Sequence, residues 1–340
     1  MATVVVAGAG AIGGIVAARM AMAGHEVGVI ARGAHLQAIV RDGLVLDDRL
    51  AGRRDAVRVR ASDRADAFSP PDLLLVGVKA PALAGLLPTL TPLVAAHTIV
   101  VPALNGLPWW YFHQAGGAFD GRRIRCLDPD GTLAAAIDPA RIVGCVVHLA
   151  GEVPSPGVVS HTANRTMIVG EPGEPGEPGE PGGSAADDGR AGRLAGWWRG
   201  SGMDVTVSDD IRRDIWTKLL GNLSFNPVAA LTGYRADQMI DDAEVLAVVR
   251  AMMDEARAVA TALGVARLMS VDERIEMARS IGGARPSTLQ DFEAGRRPEI
   301  EGLVGSVIEV AQWVGVPVPT VRHVAALLTA RARTLGLLGR

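Results

Sequence analysis

The sequence predicts an α/β chain in which a doubly wound parallel sheet is followed by an all-helical C-terminal domain. Three observations carry that prediction. Residues 3–14 read TVVVAGAGAIGG, a strand-forming run that passes through Gly8-x-Gly10-x-x-Gly13 into an alanine-rich helical pattern. Short apolar runs then alternate with helical stretches through the first half of the chain. From Ser208 onward nearly everything has helical period.

The first strand is Thr3–Ala7, and each glycine after it has a physical task. Gly8 allows the tight turn, Gly10 lets the backbone approach a pyrophosphate, and Gly13 lets the helix pack closely on the strand. The helix start at Ala11, Ile12 and Gly13 then offers free N–H groups and a positive dipole end to phosphates. A lone GxGxxG is weak, but strand before and helix after are the context of a Rossmann-type dinucleotide site. The second strand, Val27–Ile30, leads to Arg32, near the position that usually decides the ribose partner. An acid there would accept from the 2′-OH of NAD. Arg32 has a planar fork suited to a 2′-phosphate, which favours NADPH/NADP+. The plainer alternative is a solvated surface arginine.

Further strands are expected at Leu73–Val78, Thr98–Val101 and Ile142–Val147, with helices near Ala34–Arg41 and Ala80–Leu90. Two β-rich pieces, Gly157–His161 and Thr166–Val169, look like an appended hairpin. Residues 171–182 repeat EPG four times, a composition that forms neither helix nor ladder, so 171–190 is read as a flexible surface insertion. After a helix near Arg190–Arg199 and a strand Asp204–Val207 the character changes. The expected division is therefore 1–207, a nucleotide-binding domain, and 208–340, a helical substrate and catalytic domain. The stripes Leu246, Val249, Met252, Met253, Ala256 and Val304, Val307, Ile308, Ala311, Val314 read as core faces of two of its helices.

Composition bounds the function. The chain has 340 residues, is 49% hydrophobic and carries a net charge of −3, so a sizeable core is available and nucleic acid is not an expected partner. Cys126 and Cys145 have no metal-ligand spacing, which fits free thiols in a reducing cytoplasm and no metal. No signal peptide or membrane-spanning run is evident. The sequence is compatible with a homodimer and does not fix the oligomeric state.

Three groups of polar residues could carry chemistry. Lys79 ends the run LLLVGVKA and Asn105 follows TIVVPAL, so both should emerge at the cofactor face of the sheet; a solvated lysine and an Asn-Gly turn are the plain readings. In IWTKLLGNLSFNP, Lys218, Asn222 and Asn226 are spaced by four and share one helix face, amid Trp216, Leu219, Leu220, Leu223 and Phe225. Burial there would lower the lysine pKa and favour proton donation, unless Lys218 merely pairs with Asp214. In RPSTLQDFEAGRRPEIEG, Ser287 with Gln290 resembles a helix capping box, Asp291 lies one turn on, and Glu299 opens the next helix.

Taken together, GAGAIGG, Arg32, VKA at Lys79, LNG at Asn105, KLLGNLSFNP and PSTLQD followed by RRPEIEG resemble the ketopantoate reductases (2-dehydropantoate 2-reductases) over nearly the whole chain. The resemblance implies NADPH-dependent reduction of a 2-oxo acid to a 2-hydroxy acid, most directly ketopantoate to pantoate in pantothenate biosynthesis. It implies Lys218 as general acid, Glu299 as the acid contacting substrate, Asn222, Asn226, Ser287 and Asp291 as substrate-binding residues, and Lys79 and Asn105 near nicotinamide and ribose. The chain departs from the family pattern in the aromatic stretch Pro108–Cys126, in VHLAGEVPSPGVVSH, in the EPG repeat, and in LNG where QNG is more usual. Three alternatives stand beside it. They are a paralogous reductase of another 2-oxo acid, a β-hydroxyacid-type dehydrogenase, and an NADP(H) sensor without turnover.

Overall fold

The computed structural model describes residues 1–173, 189–283 and 285–338; most of the expected insertion, 174–188, lies outside the described residues. The chain divides into two compact units. The first comprises Met1–Leu104, Phe112–Gly121 and Thr132–Ile211; the second comprises Asn105–Tyr111, Arg122–Gly131 and Arg212–Arg340.

The first unit runs β1 (Thr3–Ala7), α1 (Ala11–Met22), β2 (Glu26–Ile30), α2 (Gly33–Asp42), β3 (Leu44–Asp48), β4 (Arg53–Val57), β5 (Arg60–Ser62), β6 (Leu73–Val76), α3 (Ala80–Leu90) and β7 (Ile99–Pro102). It continues with α4 (Thr132–Ala136), β8 (Gly144–Val147), β9 (Ala150–Ser155), β10 (Val158–Ala163), β11 (Thr166–Gly170), α5 (Arg190–Gly200) and β12 (Asp204–Val207). Five parallel strands form the principal sheet in the order β5-β2-β1-β6-β7. The order reverses at β1, where β2 and β6 flank it, and ligands of doubly wound sheets bind at that switch point. The core is built on β1, β6 and β7, with Val4, Val6, Leu73, Leu75, Ile99 and Val101 all buried. These strands are apolar on both faces, as a sheet covered on both sides requires.

The expected hairpin does not form. β10 pairs in parallel with β3 and antiparallel with β9, whereas β11 pairs with β8 and β12. The first four residues of β10 are buried, so it is a central strand that needs a neighbour on each edge. Asn164, with φ of 55°, turns the chain out of one sheet before β11 enters the other. Strands β3, β4, β5 and β9 went unanticipated because charged residues mask their alternation. In β4 those charges face opposite charges: Asp47 lies across from Arg54 and Asp48 from Arg53. β6 also ends earlier than the sequence suggests, at Val76. Gly77 leaves the ladder to pack on the glycine turn, where an added Cβ would lie 3.0 Å from Gly8 O and 3.1 Å from Gly13 Cα.

The second unit is helical: α6 (Ile211–Thr232), α7 (Ala236–Asp241), α8 (Ala243–Ala262), α9 (Val271–Ile281), α10 (Ser287–Glu293), α11 (Ser306–Val314) and α12 (Pro319–Thr334). One turn of π-helix, Glu301–Gly305, runs into α11. The face of α8 formed by Val249, Met252, Met253 and Ala256 is buried, as is the Val304, Val307, Ala311 stripe. Among the described residues no helix is long and apolar enough to cross a membrane.

Candidate active site

In the first unit the loop from β1 to α1 shapes a cleft of about 520 Å³. Its lining includes Gly8, Gly10, Arg32, His35, Val78 and Pro154. Gly8 and Gly13 are required by their surroundings. Gly8 sits at φ of +99°, and a Cβ there would lie 2.6 Å from Val78 Cγ1. At Gly13 a Cβ would lie 2.1 Å from Gly8 O, so only glycine lets α1 approach β1 this closely. Gly10 is the contrast: a Cβ there meets nothing within 4 Å, so the backbone at the start of α1 faces open space. The N–H groups of Ala11, Ile12 and Gly13 fall in the first helical turn, which has no intrahelical acceptors for them. Open space over a helix start with a positive dipole end fits a pyrophosphate. Arg32 precedes α2, is exposed, and forms no side-chain hydrogen bond or ion pair among the described residues. The residues present therefore fit a dinucleotide, and a cationic fork stands at the edge of the cleft.

Sequence reasoning missed His35. Its Nδ1 accepts from Gly157 N–H at 2.9 Å, so Nε2 carries the proton and donates to Ala9 O at 2.7 Å. The imidazole thus ties the glycine loop to the β9–β10 turn. No motif announces this; a lone histidine on α2 has no sequence signal.

In the second unit Lys218, Asn105 and Glu299 come together. Lys218 Nζ donates to Asn105 Oδ1 at 2.8 Å, and Asn105 Nδ2 donates to Glu299 Oε2 at 3.2 Å. The amide thus spends its acceptor on the ammonium and its donor on the carboxylate, orienting both. Glu299 is 6% exposed and Lys218 half-buried, so both charges are held away from bulk water. The sequence placed Asn105 beside the cofactor; the structure groups it with the helices.

The local chain explains why. Leu107 N–H donates to Gly302 O at 3.1 Å, which docks the Asn105 loop on the π-helical turn. Gly106 lies at φ of +86°, and a Cβ there would be 2.0 Å from Gly302 O. Farther along, Tyr111 OH accepts from Trp216 Nε1 at 2.8 Å and Tyr111 O from Arg212 Nε at 2.8 Å, tying the segment to α6. Trp109 and Trp110 are buried, and their indole nitrogens find no acceptor among the described residues. Tyr111 anchors on α6 the short segment that carries Asn105. A π-turn beside polar buried groups is also a common mark of a functional site.

The remaining residues divide. Asn222 is half-buried on α6 between Lys218 and Asn226. Asn226 Nδ2 donates to Ser287 Oγ at 3.3 Å, joining α6 to the start of α10. Ser287 is therefore no capping box: Pro286 precedes the helix without a side-chain cap, and Gln290 Nε2 donates to Arg285 O. Asp291 is buried and accepts from Arg296 Nε at 3.0 Å. Lys79 is exposed at the boundary of α3 and belongs to the first unit. No three or more His, Cys, Asp or Glu side chains cluster as a metal site among the described residues.

Comparison with known proteins agrees with this architecture. The profile described as ketopantoate reductase PanE/ApbA matches residues 4–174, and that described as ketopantoate reductase PanE/ApbA C terminal matches 210–332. The 2-dehydropantoate 2-reductase of Mesorhizobium japonicum is 41% identical over 322 residues, covering 94% of this chain and 95% of the relative. A Ralstonia solanacearum MolK2 protein of known crystal structure superposes with a TM-score of 0.90 at 39% identity, covering 99% of this chain and 100% of its own. The PanE/ApbA family ketopantoate reductase of Ralstonia eutropha JMP134 gives 0.79 at 28% identity, covering 98% and 99%. A glycine-loop cleft in the sheet unit, a lysine–asparagine–glutamate cluster in the helical unit and profiles that match both units lead to one statement: the chain belongs to the ketopantoate reductase PanE/ApbA family.

Proposed function

We propose that this protein reduces a 2-oxo acid to the 2-hydroxy acid with NADPH, and that the substrate is 2-dehydropantoate (ketopantoate), giving pantoate for pantothenate biosynthesis. The observation that supports it most is the chain of hydrogen bonds Lys218–Asn105–Glu299. Reduction of a carbonyl needs a proton donor at the oxygen that becomes the hydroxyl. Lys218 is a charged donor aimed by a neutral amide, and it stabilises the developing alkoxide before giving up a proton. Glu299, buried at the other end of Asn105, holds that amide in the orientation Lys218 requires. Asn222, Asn226 and Ser287 lie along the same helix and at its neighbour, and they orient the acid. The engagement of Asp291 with Arg296 favours a role in holding the end of α10.

NADPH, when bound, supplies the hydride. Gly8, Gly10 and Gly13 with the N–H groups of Ala11 and Ile12 would cradle its pyrophosphate, and Arg32 would take the 2′-phosphate. Lys79 would meet the cofactor from the end of the β6 segment. Two free cysteines, Cys126 and Cys145, suit the cytoplasm that this reading assumes.

The test is NADPH oxidation against a panel of 2-oxo acids that includes ketopantoate. Lys218→Ala should lower turnover by about 100-fold or more, the scale of lost general acid catalysis. Unchanged turnover would remove Lys218 from the chemistry. Arg32→Ala should raise KM for NADPH more than for NADH; equal effects would argue against the 2′-phosphate contact.

A further inference from the structure

Among the described residues of the helical unit, Arg274 keeps two buried guanidinium nitrogens without a hydrogen-bond partner. Arg274 stands in the first turn of α9, whose start is fixed by a capping box: Ser270 Oγ accepts from Glu273 N–H at 3.2 Å, and Glu273 Oε2 accepts from Ser270 N–H at 2.8 Å. Its guanidinium lies flat against Gly221 of α6. A Cβ added at Gly221 would fall 1.8 Å from Nη2, 2.3 Å from Cζ and 2.5 Å from Nε. Gly221 is thus the gap in α6 that admits Arg274. On a helix it lies about 60° around and one turn along from Lys218, on the side away from Asn222 and Asn226.

Nε and Nη1 of Arg274 are buried and have no hydrogen-bond acceptor. Among the described residues no carboxylate offsets the charge, and burial alone pulls the pKa down from the usual arginine value. Arg19 and Arg212 contrast with it: Arg19 pairs with Asp48, and Arg212 donates to Tyr111 O. A buried guanidinium without an anion is costly, and native structures keep one where a ligand completes it.

The charge balance of the site points to which ligand. Lys218 and Glu299 cancel, and Asn105, Asn222, Asn226 and Ser287 are neutral. A 2-oxo acid brings a full negative charge that amides and a hydroxyl neutralise poorly. We propose that Arg274 is the anion anchor of this site, taking the substrate carboxylate on the side of Lys218 away from Asn222 and Asn226, with Gly221 as the gap that lets it reach. The assignment rests on the 2-oxo acid reading above.

Arg274→Met keeps the length and apolar stem but removes the charge. It should raise KM for ketopantoate by about 10- to 100-fold, the range for one lost charge-assisted hydrogen-bond pair. kcat should fall less than KM rises, and KM for NADPH should stay put, the pattern of lost ground-state binding. The melting temperature should hold or rise, since an unpaired buried charge is gone. Gly221→Ala, which displaces the guanidinium without deleting it, should raise the same KM. A KM in Arg274→Met within about twofold of wild type, or a rise accompanied by a fallen melting temperature, overturns the anchor while leaving the reductase reading intact. If wild type reduces no 2-oxo acid, that reading fails separately. Calorimetric titration with oxalate then decides: binding by wild type and not by Arg274→Met supports the anchor. Equal binding by both, or none by wild type, refutes it.

Discussion

Gly106→Ala tests whether the Asn105 loop serves the lysine cluster or the cofactor. The new Cβ would lie 2.0 Å from Gly302 O, 2.3 Å from Gly302 C and 2.9 Å from its Cα, all backbone atoms that no rotamer change can move aside. The φ of +86° adds about 1–2 kcal/mol for an L-residue in the left-handed region. Overpacking against backbone adds about 1–3 kcal/mol, and loss of the Leu107 N–H to Gly302 O bond about 1 kcal/mol. The loop therefore lifts off the π-turn rather than tolerating the methyl group. Asn105 then loses its bonds to Lys218 and Glu299, both charged partners, each worth about 1.5–3 kcal/mol. At 1.36 kcal/mol per decade this puts the fall in kcat/KM for the 2-oxo acid at about 100-fold or more. Asn105→Ala, which leaves the backbone alone, should lower turnover in the same direction without the clash at Gly302. Steady-state kinetics and cofactor titration by fluorescence read both effects. Wild-type turnover in Gly106→Ala refutes the docking argument, and a selective loss of NADPH affinity in either variant returns Asn105 to the cofactor.

Three further outcomes are expected. Gly13→Ala would put a Cβ 2.1 Å from Gly8 O, so NADPH affinity should fall by about 10-fold or more, roughly the loss of one charge-assisted hydrogen bond at the helix start; undiminished affinity by titration would contradict it. His161 is buried, its Nδ1 accepting from Arg19 at 3.0 Å and its Nε2 donating to Asn164 O; burial, then the Arg19 charge, depresses its pKa. Its stabilising contribution is whole above about pH 6.5, the unfolded value, and is lost as pH falls below that toward the folded value. Melting temperature should drop from pH 7 to 5, with a shallower slope in His161→Gln; His25, also depressed by burial, keeps that slope from vanishing. Cys126 has its thiol pushed up by burial first and then by Glu309, so iodoacetamide should label the folded protein slowly at pH 8, and rapid labelling by mass spectrometry would show the segment to be open.

Much of this molecule is written locally. The glycine loop could be read because strand, turn and helix are contiguous, and each glycine answers to neighbours within a few residues or on the adjoining strand. The row Lys218, Asn222, Asn226 was legible for the same reason: helical spacing is a local property. The sheet edges were not, since charges mask the apolar alternation of β4 and Glu152 of β9 meets Arg49, 103 residues away. The capping-box pattern of Ser287 and Gln290 does not form, and the contact that Ser287 makes instead, with Asn226, is 61 residues away.

What the sequence determined by itself is the class of fold, the phosphate-binding turn and the helix face that presents the lysine, all set by spacing along the backbone. What only tertiary structure decided is where Asn105 spends its two hydrogen bonds, that Arg274 packs on Gly221 without an anion among the described residues, and which strands β10 joins. Those depend on close approaches between segments far apart in the chain, where a single missing Cβ at Gly106 or Gly221 makes room for a contact that no local pattern records.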